Sequence, residues 1–255
     1  MADSKTSALL VAHPGHELRV HGWLERERPL VLVLTDGSGH VGVSRLPSTC
    51  EVLRRAGARP GPVLGRFSDR ALYEVILGGR ISVLTALAEE IAEALAEETV
   101  DRVVCDAIEG FNPSHDLCCL VAATAMAITA RRTRRSPILY DFLLEGRPDG
   151  AVRAGDLRLE LDAAELERKL VAAREYPEMA GEVERAFQRH GVEPFRVECL
   201  RRVDPKVVVE DLVTDPPFYE IHGERQVAAG YYPTVLRFRE HFLPVAHALR
   251  ELGRR

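Results

Sequence analysis

Two short stretches, about a hundred residues apart, concentrate the residue types that could do chemistry. The apolar run Ala8-Leu9-Leu10-Val11-Ala12 stops at His13-Pro14-Gly15-His16-Glu17. A second run, Val103-Val104-Cys105, leads through Asp106 into Glu109-Gly110-Phe111-Asn112-Pro113-Ser114-His115-Asp116. His13 and His16 are spaced i, i+3, so on a tight turn or a first helical turn both rings can face one point. His115 would join them from a neighbouring strand end. Three imidazole ligands with one position left for water is a catalytic zinc arrangement, because the open position lets the metal bind and acidify water. Spacing alone is suggestive only, since a His-x-x-His pair with one distant histidine recurs by chance.

The elements that must position these residues follow from the apolar pattern. Residues 7–12 and 30–35 are short and continuously apolar, as buried parallel strands are. Leu18, Trp23 and Leu24 share one face of a helix between them. Residues 36–68, rich in Gly, Ser, Arg and Pro, are expected to form loops plus a short helix around 48–56. Ile81, Leu84, Leu87, Ile91 and Leu95 mark a helix ending near Glu98, with Gly78-Gly79 breaking an earlier turn from it. A third strand is expected over 100–105, a helix over 113–132, a fourth strand over 137–142 and an edge strand at 157–161. A helix over 162–189, interrupted at Pro177, and a fifth strand over 195–203 complete the pattern. The fold class expected is α/β: a Rossmann-like, mostly parallel sheet with helices on both faces. No G-x-G-x-x-G follows the first strand, which disfavours a nucleotide cofactor.

Bulk properties narrow the function classes. The chain has 255 residues, 46% of them hydrophobic, with a formal charge of −5. That gives no electrostatic footprint for nucleic acid. No run of 18 consecutive apolar residues occurs, and the first residues lack a signal-peptide core, so neither a membrane partner nor export is expected. Five cysteines, two of them adjacent (Cys118, Cys119), do not form a secreted disulfide framework. Cytoplasmic location is the expectation. Cys118 and Cys119 read as small core residues.

With its motifs set out in order, the chain resembles the PIG-L/LmbE-like family of zinc-dependent deacetylases. The resemblance rests on Ala12-His13-Pro14-Gly15-His16-Glu17, Leu34-Thr35-Asp36-Gly37 and Asn112-Pro113-Ser114-His115, with echoes at 65–69, Lys169, Ala172-Ala173 and Glu193-Pro194-Phe195. It covers roughly residues 7–200. It implies an LmbE-like deacetylase domain over 1–203, and a C-terminal extension over 204–255 packing on the same domain. It also implies zinc, and deacetylation of an N-acyl amino sugar or related small metabolite. By position, His13 and His115 match the family's first and last zinc ligands. His16 stands where the family has an aspartate ligand. Glu17 matches a glutamate read as orienting a ligand or backbone; the alternative is that Glu17 coordinates and His16 faces away.

Two departures matter more than the matches. Gly15 stands where the family has its general base, and Asn112 where it has a histidine that stabilises the transition state. Glu109, Asp106 and Asp116 cluster near the third motif, and Glu109 is the first choice to carry the proton. Asn112 could donate to the oxyanion. Asp36, Arg45 and Asp69 are candidate substrate contacts, each weighed against a turn or surface role. In the extension, Arg237 with Tyr231, Tyr232 and nearby aromatics reads either as a substrate clamp or as a dimer contact of a possible homo-oligomer. Two rival readings stay open: a family member that binds a sugar-like ligand without hydrolysis, and a zinc hydrolase acting on another bond, such as an ester.

Overall fold

Buried strands place alternate residues on opposite faces, and that alternation organises this molecule. The computed structural model describes residues 6–39, 42–150, 153–204 and 208–254. The elements in chain order are β1 (Ser7–Val11), α1 (His21–Glu27), β2 (Leu30–Thr35), α2 (Leu46–Ala56), β3 (Arg59–Phe67), α3 (Asp69–Leu77), α4 (Ile81–Glu97), β4 (Arg102–Asp106), α5 (Pro113–Thr133) and β5 (Ile138–Phe142). They continue with β6 (Leu157–Glu160), α6 (Ala163–Arg174), α7 (Ala180–His190), β7 (Val197–Arg202), α8 (Phe218–Ala228) and α9 (Leu243–Arg254). A 3₁₀ turn, His16–Val20, joins β1 to α1.

The seven strands form one sheet in the order β3-β2-β1-β4-β5-β7-β6. The first five are mutually parallel; β7 runs antiparallel to β5, and β6 antiparallel to β7. Leu10, Leu32, Leu34, Val103 and Cys105 face a core built with α3, α4, α5 and α9. Leu9, Val11, Val31, Val33 and Val104 face the second core, with α1, α2 and α6. The chain leaves β1 toward β2 on one side and returns as β4 on the other. The crevice beyond the ends of β1 and β4 is therefore the topological switch point, where such sheets build their sites.

One strand has no counterpart in the sequence reading. β3, Arg-Pro-Gly-Pro-Val-Leu-Gly-Arg-Phe, sits within the segment expected to be loop and short helix. It is an edge strand whose register against β2 shifts twice. Edge position and irregular pairing are what allow prolines and glycines in a strand. Gly78-Gly79 separates two helices as expected: α3, capped by Ser68 through the Ala71 amide, and α4. α5 is long and apolar enough to cross a bilayer by length and composition, but it is mostly buried, as a central core helix is. Residues beyond 204 share the first core: Val209, Tyr219, Phe238, Phe242, Val245 and Leu249 pack with α4 and α5.

Candidate metal centre

The first strand ends where its backbone is pinned from both neighbours. The Thr35 amide donates to the Ala12 carbonyl at 2.9 Å, and the Ala12 amide donates to Asp106 Oδ2 at 2.7 Å. His13 leaves this point into the crevice. Gly15 then turns the chain with φ +102°, a conformation that L side chains rarely adopt, and His16 opens the 3₁₀ turn. His115 arrives from across the switch point as the third residue of α5, which Asn112 caps through Oδ1 to the Ser114 amide.

The three rings meet. Centroids lie 5.2 Å apart for His13–His16, 5.1 Å for His13–His115 and 4.6 Å for His16–His115. Nitrogens about 2.0–2.1 Å from one tetrahedral zinc would space such rings by about 5 Å. The donor atoms themselves are less advanced than the rings: among the described residues no three His, Cys, Asp or Glu side chains have theirs already gathered for a metal ion. Three observations nonetheless fit a cation. Among the described residues His13 Nε2 is buried with no hydrogen-bond partner. His13 Nδ1 lies 2.9 Å from Asp69 Oδ1 and 2.8 Å from Thr35 Oγ1. Thr35 Oγ–H donates to the Ala12 carbonyl, so Nδ1 is assigned as the protonated nitrogen, and Nε2 keeps its lone pair. His16 Nδ1 lies 2.9 Å from Asp106 Oδ2. Two carboxylate–imidazole pairs of this kind are how metal-binding histidines are oriented.

Electrostatics work the same way. Burial, then the charges of neighbouring groups led by the other imidazoles, holds His16 and His115 well below the usual histidine range, so both are neutral at pH 7. Burial pushes Asp106 and Asp116 up to about 7 each. It also raises Glu17 to about 7, against hydrogen bonds from Thr49 and the Gly15 amide. Burial works to raise Asp69 too, but the hydrogen bond and charge of His13 hold it well below the usual carboxylate range.

The remaining sequence candidates fall into distinct places. Glu17 points away from the rings; its oxygens take the Gly15 amide at 2.8 Å and the Thr49 hydroxyl at 2.8 Å, and Thr49 also meets Tyr176 Oη. It fixes the turn, and His16 is the side chain that faces the other imidazoles. Asp69, expected at substrate, is the partner of His13. Asp36 Oδ1 accepts the Ser38 amide, which is turn chemistry. Arg45 reaches Met179 Sδ and Glu182, closing the wall beside Gly15. Glu109, the first choice to carry the proton, instead accepts the amides of Leu144, Glu145 and Gly146 at 2.8, 3.2 and 3.0 Å; a carboxylate committed to three backbone donors anchors a loop. Arg237, the candidate clamp, pairs with Glu220 and Glu224 inside the extension. The extension touches the third motif elsewhere, where Phe218 stacks on Phe111 at 4.7 Å and the Tyr219 amide donates to Gly110. Asp106 as partner of His16 went unread in the sequence, although its place at the end of an apolar strand was a signal.

No protein-family model matches the sequence, and no curated protein does. Solved structures do. The zinc-inhibited form of teicoplanin deacetylase Orf2 superposes with a TM-score of 0.53 at 14% identity, over 78% of this chain and 99% of that one. The A40926 pseudoaglycone deacetylase Dbv21 gives 0.51 at 18% identity, over 79% and 98%. The conserved protein TT1542 of Thermus thermophilus gives 0.54 at 18%, over 80% and 96%. The fold is that of the LmbE-like deacetylases. Nearly all of each neighbour is covered, while about a fifth of this chain has no equivalent.

Proposed function

We propose that this protein is a zinc-dependent hydrolase that removes the acyl group from an N-acyl amino sugar or a related small metabolite. The observation that carries the reading is the convergence of His13, His16 and His115 at the switch point, two of them clamped through Nδ1 by buried or half-buried carboxylates. His13 would hold zinc through Nε2, with His16 and His115 completing the set. When bound, zinc would supply Lewis acidity toward water and toward an acyl carbonyl.

The chain's own residues set the conditions for that chemistry. Asp69 and Asp106 fix ring orientation and raise ligand basicity. Glu17, held by Thr49, fixes the Gly15 amide and with it the turn between the two histidines. Asn112 spends Oδ1 on its helix cap, which leaves its NH₂ group to donate toward an oxyanion at the N-terminus of α5, where the helix dipole also favours negative charge.

A second reading has its own support. At the position of the family's general base, Gly15 has φ +102°, and a Cβ built there would meet Met179 Sδ at 2.9 Å. With Glu109 committed to a loop as well, the chain also fits a protein that binds a sugar-like ligand without hydrolysing it. Metal analysis and turnover separate the readings. The hydrolase reading expects close to one zinc per chain in purified protein, its loss in His13→Ala, and release of free amine from an N-acyl sugar panel. Because one neighbour is described in a zinc-inhibited form, the assay is run across zinc and other divalent ions. Metal without amine release, on a panel that also contains esters, supports the binding protein if esters stay intact, or an esterase if they do not. A chain that takes up no metal on titration ends the reading.

A further inference from the structure

Toward β5 and β7, at the sheet rim that carries the histidine cluster, lies a cavity of about 160 Å³ that none of the chemistry above uses. Among the described residues four arginines line it: Arg19, Arg147, Arg153 and Arg201. It belongs to the functional rim of the sheet. Arg19 lies on the 3₁₀ turn that begins at His16, and Phe142, also in the lining, ends β5 opposite Asp106 in register.

Three of the four arginines are held in a common way. Arg19 donates through Nε to the Leu143 carbonyl at 3.1 Å and through Nη2 to the Gly146 carbonyl at 2.7 Å. Arg147 holds Asp149 through Nε and Nη2, both at 2.9 Å. Arg201 holds Asp141 through Nε at 2.7 Å and Nη2 at 3.0 Å. Each guanidinium is thus fixed along its Nε–Nη2 edge, and among the described residues none of the three gives its Nη1 end to a protein acceptor. Arg153 is the loosest, with Nε 3.8 Å from Asp156 Oδ2. Glu198, the one carboxylate among the described lining residues, is occupied by Lys169 Nζ and by the Gly22 and Trp23 amides. Glu109 and Glu145 lie within electrostatic reach of Arg19, but Glu109 is bound to three amides and Glu145 pairs with Arg189. Unspent Nη1 donors, more than net charge, mark the place: forked groups fixed in advance bind carboxylate or phosphate at little entropic cost.

We propose that this cavity is an anion site, taking the carboxylate or phosphate group of a small molecule through the Nη1 ends of Arg19, Arg147 and Arg201, with Arg153 at its mouth. The proposal does not depend on the hydrolase reading, because the anion needs no metal to bind here.

The experiment is calorimetric titration of the whole chain with inorganic phosphate and, separately, with D-glucuronate. Saturable binding is expected for at least one, weakening with added salt. The ligand bound more tightly identifies the group as phosphate or carboxylate. R147Q/R153Q, which replaces two exposed arginine side chains, is expected to lower the affinity by about tenfold or more. R54Q/R70Q, which removes the same charge from α2 and α3, is expected to leave it unchanged. His13→Ala is also expected to bind as the wild type does. The absence of saturable binding of both anions up to tens of millimolar overturns the site. Insensitivity to R147Q/R153Q does too, as does loss in His13→Ala alone, which would put the anion on the metal centre.

Discussion

One oxygen of Asp106 serves both halves of the switch point. Oδ2 accepts the Ala12 amide at 2.7 Å and lies 2.9 Å from His16 Nδ1, while Oδ1 is buried without a partner among the described residues. The end of β1 and the ring of His16 are therefore positioned by a single carboxylate from β4. Asp106→Asn keeps the shape but removes the charge that makes His16 a better ligand. Zinc affinity, read by chelator competition, is expected to fall by about 10–100-fold with the fold retained by circular dichroism. Unchanged affinity would mean that His16 does not bind metal.

Gly15→Asp puts the family's carboxylate back in its place in the sequence. It is not expected to restore anything. The backbone at φ +102° disfavours any side chain, and Met179 occupies the space. Strain and overpacking together should cost about 2–4 kcal/mol in urea denaturation. Gly15→Asp combined with Met179→Ala should recover part of the loss, because it clears the contact and leaves only the backbone term. If Gly15→Asp were as stable as the wild type, the turn would have to be more adaptable than its packing indicates.

What could be read in advance divides along physical lines. β1, β2 and β4 are built on continuous apolar runs and β5 is apolar but for Asp141, so burial on both faces is written into their composition. β3 is not legible that way, since an irregular edge strand tolerates the prolines and glycines that signal loops. The three histidines could be nominated from motif and spacing, because strand ends in such sheets converge. Their partners were harder. Asp69 and Asp106 act across strand pairings that only the folded sheet creates. Glu109 looked available for chemistry until the 144–146 loop, with its row of free amides, was placed against it. Arg237 looked equally available until α8 brought Glu220 and Glu224 to it.

His21 gives a pH test away from the imidazole cluster. It is 3% exposed, its Nδ1 has no partner among the described residues, and burial, outweighing Glu25 on its own helix and Glu198 on β7, lowers its pKa below 6.5. Lys169 and Arg168 of α6 push the same way as burial, and Glu51, Arg55 and Glu175 line the groove beside it. Below pH 6.5 the unfolded chain therefore binds the His21 proton before the folded one does. Its contribution to stability is present above 6.5 and is lost as pH falls through the window beneath. His16 and His115 add slopes of the same sign, so the readout is a difference. Between pH 7.5 and 5.5, His21→Leu should lose less stability in urea than the wild type loses. Equal losses would mean that His21 is solvated or paired in solution.

The last prediction concerns what holds the histidine turn against the far side of the sheet. Lys169 and Glu198 are both almost wholly buried, with Nζ 2.7 Å from Oε1. Lys169 also donates to the Arg19 carbonyl at 2.7 Å, and Glu198 accepts the first amides of α1 at 2.8 and 2.7 Å. The pair thus ties the 3₁₀ turn and α1 to α6 and β7. Burying two charges is costly, so the pair as a whole need not be very stabilising, but breaking it leaves a lone carboxylate in the core. Lys169→Met should cost about 3–5 kcal/mol. Glu198→Gln in that background should restore part of the loss, because the neutral amide still accepts from the α1 amides while removing the unpaired charge. If the double variant is no more stable than Lys169→Met, the cost lies in packing, and the ion pair is not what anchors the turn.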